Sequence, residues 1–160
     1  MNLLRKRKDD RGLMANLRCF LTESRKQRSW PALNRLGVDI KDEVTGLIAG
    51  LYATHPEECS TGNCGTTWRS IGQRYGATQG GDNKLTPTER RFQQLLAAEK
   101  GKELHGRIIR MVLMAKSQGV PVNYEQLEKD LRYWNDRTMI EWASAFWTPE
   151  VKSESNEEAP

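Results

Sequence analysis

Apolar positions along the chain recur at three- and four-residue spacing, the period of one helix face. Leu13, Met14, Leu17, Phe20 and Leu21 make the first stripe; Asp9 or Asp10 is placed to cap it, with Arg11 and Arg18 on the opposite side. A short helix from Pro31 to a stop at Gly37 follows, its turn anchored to the core by Trp30 and Leu33. Asp39 then reads as the cap of a third helix carrying Ile40, Val44, Leu47, Ile48 and Leu51, ended by His55 and Pro56. Within it Gly46 and Gly50, four apart, allow a neighbour to approach closely. Trp68, Ile71 and Tyr75 are spaced for the buried side of a fourth helix, leaving Arg69 and Arg74 outward.

The most fully specified stretch runs from Thr86 to Gly119. Thr86 caps, Pro87 fits the first helical position, and Glu89 completes a capping box. Phe92, Leu95 and Leu96 share one face with the stem of Glu99, while Arg90 points away and Arg91 lies on the flank. After a break at Gly101, Leu104, Ile108, Ile109, Met111, Val112 and Ala115 form a broad apolar arc with Arg107 and Arg110 beside it and Gly119 as the stop. Beyond the Val120-Pro121-Val122 connector, Asn123 and Gln126 offer a second capping box before Tyr124, Leu127 and Leu131. Asp136 opens a last helix with Ile140, Ala143, Phe146 and Trp147 inward and Arg137 in its first turn.

No stretch alternates β-branched residues as a strand would. The expected fold is all-α: a compact bundle of about seven to eight helices with no significant sheet. Residues 1–148 are expected to form a single helical domain with a short basic N-terminal arm, Leu3 to Lys8. Residues 149–160, poor in apolar groups and net negative, are expected to form a disordered acidic tail. GATQGGDNK, residues 76–84, reads as a mobile hinge or a loop ordered by a partner.

At 160 residues and 18.3 kDa the chain is long enough to bury a core without staples. No run approaches the roughly 18 apolar residues of a membrane span. Basic Met1–Lys8 leads into Asp9 and Asp10 with no apolar signal core, so no membrane partner and a cytoplasmic location are expected. Cys19, Cys59 and Cys64 cannot all pair, and HPEECSTGNC lacks a fourth zinc ligand, so a turn is the reading there and no metal is assigned.

The inventory for catalysis is thin. Glu57 and Glu58 are adjacent and point apart; there is no nucleophile elbow, no His-Glu-x-x-His, and no glycine pattern for a nucleotide. No catalytic residue and no cofactor are assigned.

Charge changes the picture more. The net charge is +4, but Met1–Gly37 holds ten Lys and Arg against three Asp and Glu, or +7. Lys84–Lys116 holds eight against three, or +5, while Pro149–Pro160 is −3, with Lys152 against Glu150, Glu154, Glu157 and Glu158. A body near +7 suits a polyanion, although a solvated helix face carries Lys and Arg as well. The candidate nucleic-acid contacts are Arg11, Arg18, Arg69, Arg90, Arg91, Lys100, Arg107, Arg110 and Arg137, each on a helix face or break that packing does not claim. Most aromatics, Trp68, Phe92, Trp142 and Phe146 among them, sit in core patterns, which points to backbone contact rather than base stacking.

From Arg90 to Trp147 the order of features is an Arg-Arg-Phe helix ending in Leu-Leu-Ala and a second helix toward a Gly-Val-Pro connector. Tyr124, a Leu-x-x-Asp-Leu run, Trp134 and a terminal Trp142–Trp147 helix follow. With DRGLMANLRCFL and SWPALNRLG at the opening, this resembles the CasB family, the small subunit of the type I-E CRISPR Cascade complex, over nearly all of Asp9 to Trp147. That resemblance implies a non-catalytic, all-α subunit present as two copies in an RNA-guided antiviral surveillance complex. Its implied partners are the backbone and large subunits, crRNA and target DNA, and its implied work is R-loop stabilisation. It carries contact roles to Arg90, Arg91, Lys100, Arg107 and Arg110, and to Arg18 and Arg69. Two alternatives stand beside it: a helical protein-interaction scaffold, and a helix-turn-helix regulator reading DNA through Arg137, Thr138 and Glu141.

Overall fold

The computed structural model of the protein describes residues 1–75 and 84–148. Over these it is all helical: α1 (Asn2–Lys6), α2 (Arg11–Arg18), α3 (Trp30–Arg35), α4 (Glu43–Thr54), α5 (Cys64–Arg74), α6 (Pro87–Leu96), α7 (Lys102–Gln118), α8 (Tyr124–Arg132) and α9 (Asp136–Phe146). Two 3-10 segments, Cys19–Leu21 and Glu23–Ser29, join α2 to α3. The all-α expectation holds, and the ninth helix is α1, which forms where a basic arm was expected. Leu4 is buried, and Arg5 donates to both Glu58 carboxylate oxygens at 2.9 Å and to Glu125 at 2.9 Å. The acidic tail lies outside the described residues, as does the glycine-rich loop apart from Lys84.

The helix at the centre is α4. Every residue from Gly46 to Ala53 is buried, so it is apolar on all sides rather than along one stripe. It packs against α2 and the first 3-10 segment on one side and against α7 and α8 on others. Gly46 makes the first contact possible: a Cβ there would sit 2.5 Å from the Phe20 ring, and one at Gly50 would meet the Leu17 carbonyl. The α4 cap is Asp42, not Asp39. The Asp42 carboxylate accepts from Thr45 N at 3.1 Å and from Thr45 Oγ1 at 2.7 Å, while Asp39 accepts from Lys41 N in the preceding turn. Ile40, outside the helix, is therefore exposed.

A second group packs around α5, which touches α6, α7 and α9. Asn63 caps α5 in a reciprocal box with Thr66, so the helix begins at Cys64, inside the segment expected to be a turn. That segment is pinned by two backbone bonds, Cys59 N to Val122 O and Val122 N to Glu57 O, both 3.1 Å. The Cys64 thiol is buried against Met111 Sδ, and burial pushes its pKa up, whereas Cys59 Sγ donates to the Thr61 carbonyl.

The chain closes through aromatic contacts. Trp142 Nε1 donates to the buried Asp130 carboxylate at 2.7 Å, and Phe146 stacks on Phe92 with centroids 4.4 Å apart. Asn135, rather than Asp136, caps α9. Thr138 and Trp142 are the buried residues of α9 and Phe146 packs partly buried against the core, so Ile140 is turned out and exposed, as are Trp30 and Trp147.

Candidate nucleic-acid interface

Three helices, α5, α6 and α7, meet at an open cleft of ≈ 360 Å³ lined by Trp68, Tyr75, Arg91, Arg107, Arg110, Leu113 and Met114. The local sequence explains each cation. Thr86 Oγ1 accepts from Glu89 N at 3.1 Å and starts α6, which buries Phe92 and Leu95 completely. Arg91 precedes Phe92 by one residue, about 100° around the helix, and so emerges at the edge of the buried stripe. On α7, Ile108, Met111, Val112 and Ala115 are fully buried. Arg107, Arg110 and Met114, spaced i, i+3, i+7, share the neighbouring stripe and reach the cleft together. The break between α6 and α7 is at Gly101, whose φ of 108° favours glycine.

The electrostatics of the cleft follow from what is missing around it. Ion pairs among the described residues engage Arg5, Arg7, Lys26, Lys102, Arg132 and Arg137, and none engages Arg91, Arg107 or Arg110. Arg107 donates instead to the neutral Gln94 Oε1 at 3.0 Å, which steadies the guanidinium without neutralising it. Arg132 shows the opposite arrangement: it meets Asp42, Glu128 and the Thr45 hydroxyl, and the hydrogen bond to Asp42 raises its pKa. Burial alone would raise the Asp42 carboxyl, but hydrogen bonds from Thr45 and Arg132 outweigh it and hold the group below the ordinary carboxylate range.

The remaining sequence candidates are dispersed. Arg90 is exposed beside Arg91, and Lys100 is exposed in the α6–α7 connection. Arg69 is half-buried on α5 next to Trp68. Arg11 is exposed at the start of α2, and Arg18, at its end, donates through Nε to the Ala53 carbonyl at 2.8 Å, closing the last turn of α4. Arg137 pairs with Glu141 at 3.4 Å. Arg74, read as free, donates to the Gln118 carbonyl at 2.9 Å. Neither histidine lines the cleft: His55 Nε2 meets the Val120 carbonyl at 2.7 Å, and burial lowers the His105 pKa.

Sequence reasoning missed three lining residues, one of them Met114, which was given no role. Tyr75, assigned to the core, is 47% exposed, and Leu113, 48% exposed, falls outside the α7 apolar arc. A large apolar residue in register with Arg107 and Arg110 was the available signal.

Residues 7–147 match the family described as CRISPR-associated protein Cse2. The chain belongs to that family. Cse2, also called CasB, is the small subunit of the CRISPR Cascade complex. The crystal structure of M. ruber CasB is similar in fold, with a TM-score of 0.64 at 21% identity over 91% of this chain and 89% of that one. No curated protein matches. No described helix of this Cse2 chain is long and apolar enough to cross a membrane.

Proposed function

We propose that this Cse2 chain is a non-catalytic Cascade subunit that holds the crRNA or target-DNA backbone on its α5–α6–α7 face and so steadies the R-loop in antiviral defence. The observation that carries the reading is the cleft itself, where Arg91, Arg107 and Arg110 converge with no carboxylate partner among the described residues. Guanidinium forks suit phosphate oxygens and keep their charge at any working pH. Pairing with the guide supplies sequence recognition, so the subunit needs only backbone contact. The other partners are the backbone and large subunits and a second copy of the chain, in the cytoplasm. Exposed Tyr133 and Ile140 offer apolar surface for such contacts.

The helix-turn-helix alternative is poorly supplied. Arg137 is paired with Glu141, and Thr138 is buried with its hydroxyl on the Tyr133 carbonyl, so the start of α9 has few free groups for base edges.

The test is charge reversal at Arg90, Arg91, Arg107 and Arg110 in one variant, with binding followed across a salt series. Affinity for single- and double-stranded DNA is expected to fall with little sequence preference. The log-log salt slope on single strands should become shallower by about 3, from roughly 0.7 per phosphate contact. An unchanged fold by circular dichroism with unchanged affinity and slope would sink the proposal.

A further inference from the structure

The cleft is more than a phosphate site. Phosphates need only the three guanidinium groups, yet the same opening presents Trp68, Tyr75, Leu113 and Met114. Tyr75 and Leu113 each leave nearly half their surface to water, whereas Trp68 and Ile71 on α5 and Leu104, Ile108, Met111 and Val112 on α7 are buried. Exposed aromatic area beside cations is the composition that binds unpaired nucleotides, since every base has a π-face and every linkage a charge. Its ≈ 360 Å³ lies at the small end of the roughly 300–1,000 Å³ usual for small-molecule sites, room for one nucleotide-sized group and not for a stacked duplex.

A second, independent observation points the same way. Trp68 is 2% exposed, and among the described residues its Nε1 is the buried side-chain nitrogen or oxygen left without a hydrogen-bond partner. Buried polar groups are nearly always satisfied, so this N–H, on a residue that lines the cleft, is a donor the described residues leave unmet. The other deeply buried tryptophan, Trp142, has its N–H fully engaged by Asp130. Base edges carry ring-nitrogen and carbonyl acceptors.

Resting on the nucleic-acid reading above, we infer that this cleft takes one unstacked base of a single strand, stacked on Tyr75 and flanked by Leu113 and Met114, with Arg91, Arg107 and Arg110 on the adjoining phosphates. Binding is then selective for single strands that carry bases, without being selective among bases. This revises the expectation of pure backbone contact at one position.

The test compares a dT oligonucleotide with an abasic strand of the same phosphate count, using the full chain and the variants Tyr75→Ala and Tyr75→Phe. The dT strand should bind more tightly than the abasic one, and Tyr75→Ala should lose about 5- to 150-fold on dT, the range for removing one base–aromatic stack. Tyr75→Phe should keep its affinity, and both variants should keep the wild-type salt slope, because no phosphate contact is removed. Equal affinity for dT and abasic strands, or full affinity in Tyr75→Ala, would overturn the inference while leaving salt-dependent backbone binding in place. Absence of any salt-dependent binding by the wild type would instead overturn the reading on which it rests.

Discussion

Three substitutions that each remove one positive charge separate a cleft from a diffuse basic surface. Arg110→Gln removes an exposed guanidinium that lines the cleft and has no ion-pair partner among the described residues. Arg107→Gln removes one that also holds Gln94 at 3.0 Å. Arg137→Gln removes one that lies outside the cleft and is matched by Glu141 at 3.4 Å. If net charge alone drew the nucleic acid, all three would weaken binding alike. If the cleft makes the contacts, one phosphate contact is worth about 0.7 in the single-strand salt slope, so Arg110→Gln should lose about fivefold near 0.1 M salt, narrowing to about 1.6-fold near 0.5 M. Arg107→Gln should lose as much affinity and also about 0.5–1.5 kcal/mol of stability through the hydrogen bond to Gln94. Arg137→Gln should leave affinity nearly unchanged. Fluorescence anisotropy on a labelled dT strand at four salt concentrations, paired with urea melts, reads all of this. Equal losses from Arg110→Gln and Arg137→Gln would refute the assignment of the cleft.

Two further expectations concern the scaffold. Gly46→Ala should destabilise by about 1–3 kcal/mol through overpacking on Phe20, less the roughly 1 kcal/mol that alanine gains in a helix; Gly106→Ala, where an added Cβ meets nothing within 4 Å, should raise stability by about 1 kcal/mol, both read by urea melts. Asp42 is held below its ordinary pKa, so its stabilising contribution is present above the unfolded value near 4 and disappears as pH falls through the lower folded value. Asp42→Asn keeps a good N-cap but loses the charge facing Arg132, and should flatten stability against pH below about pH 4 in acid titrations followed by circular dichroism.

The helical periods were readable because each buried stripe is local: Phe92, Leu95, Ile108, Val112 and Leu127 all lie where 3.6-residue spacing puts them. Caps were less readable. Asp39 and Asp42 are both plausible starts, and the choice between them depends on the Thr45 hydroxyl and on Arg132, ninety residues away in sequence. Tyr75 follows Ile71 at helical spacing, but α5 ends at Arg74, so that spacing carries no guarantee of burial. Ile140 fails for a related reason: Thr138 and Trp142 are the buried residues of α9, which tertiary contact decides and periodicity does not. Of the candidate cations, sequence singled out Arg91, Arg107 and Arg110 along with six others. Separating the cleft set from Arg18 and Arg137 required knowing where carbonyls and carboxylates fall.

That separation bears on how the surface can work. Guanidinium groups in this fold do two jobs. Arg5, Arg18, Arg74 and Arg132 close helix ends and tie distant segments through carboxylates and backbone carbonyls, whereas Arg91 and Arg110 are left with their charge unmatched. The free set also has rigid backing. Phe92, beside Arg91, is held by Trp68 on one side and by Phe146 and Trp147 from the end of α9 on the other, with centroid separations of 6.5, 4.4 and 5.3 Å. The pose of α6, and with it that of Arg91, therefore depends on how the end of α9 docks. Loosening Phe146 would misplace a phosphate contact it never touches, because a guanidinium fork binds well only when its support holds it at the geometry of its acceptor.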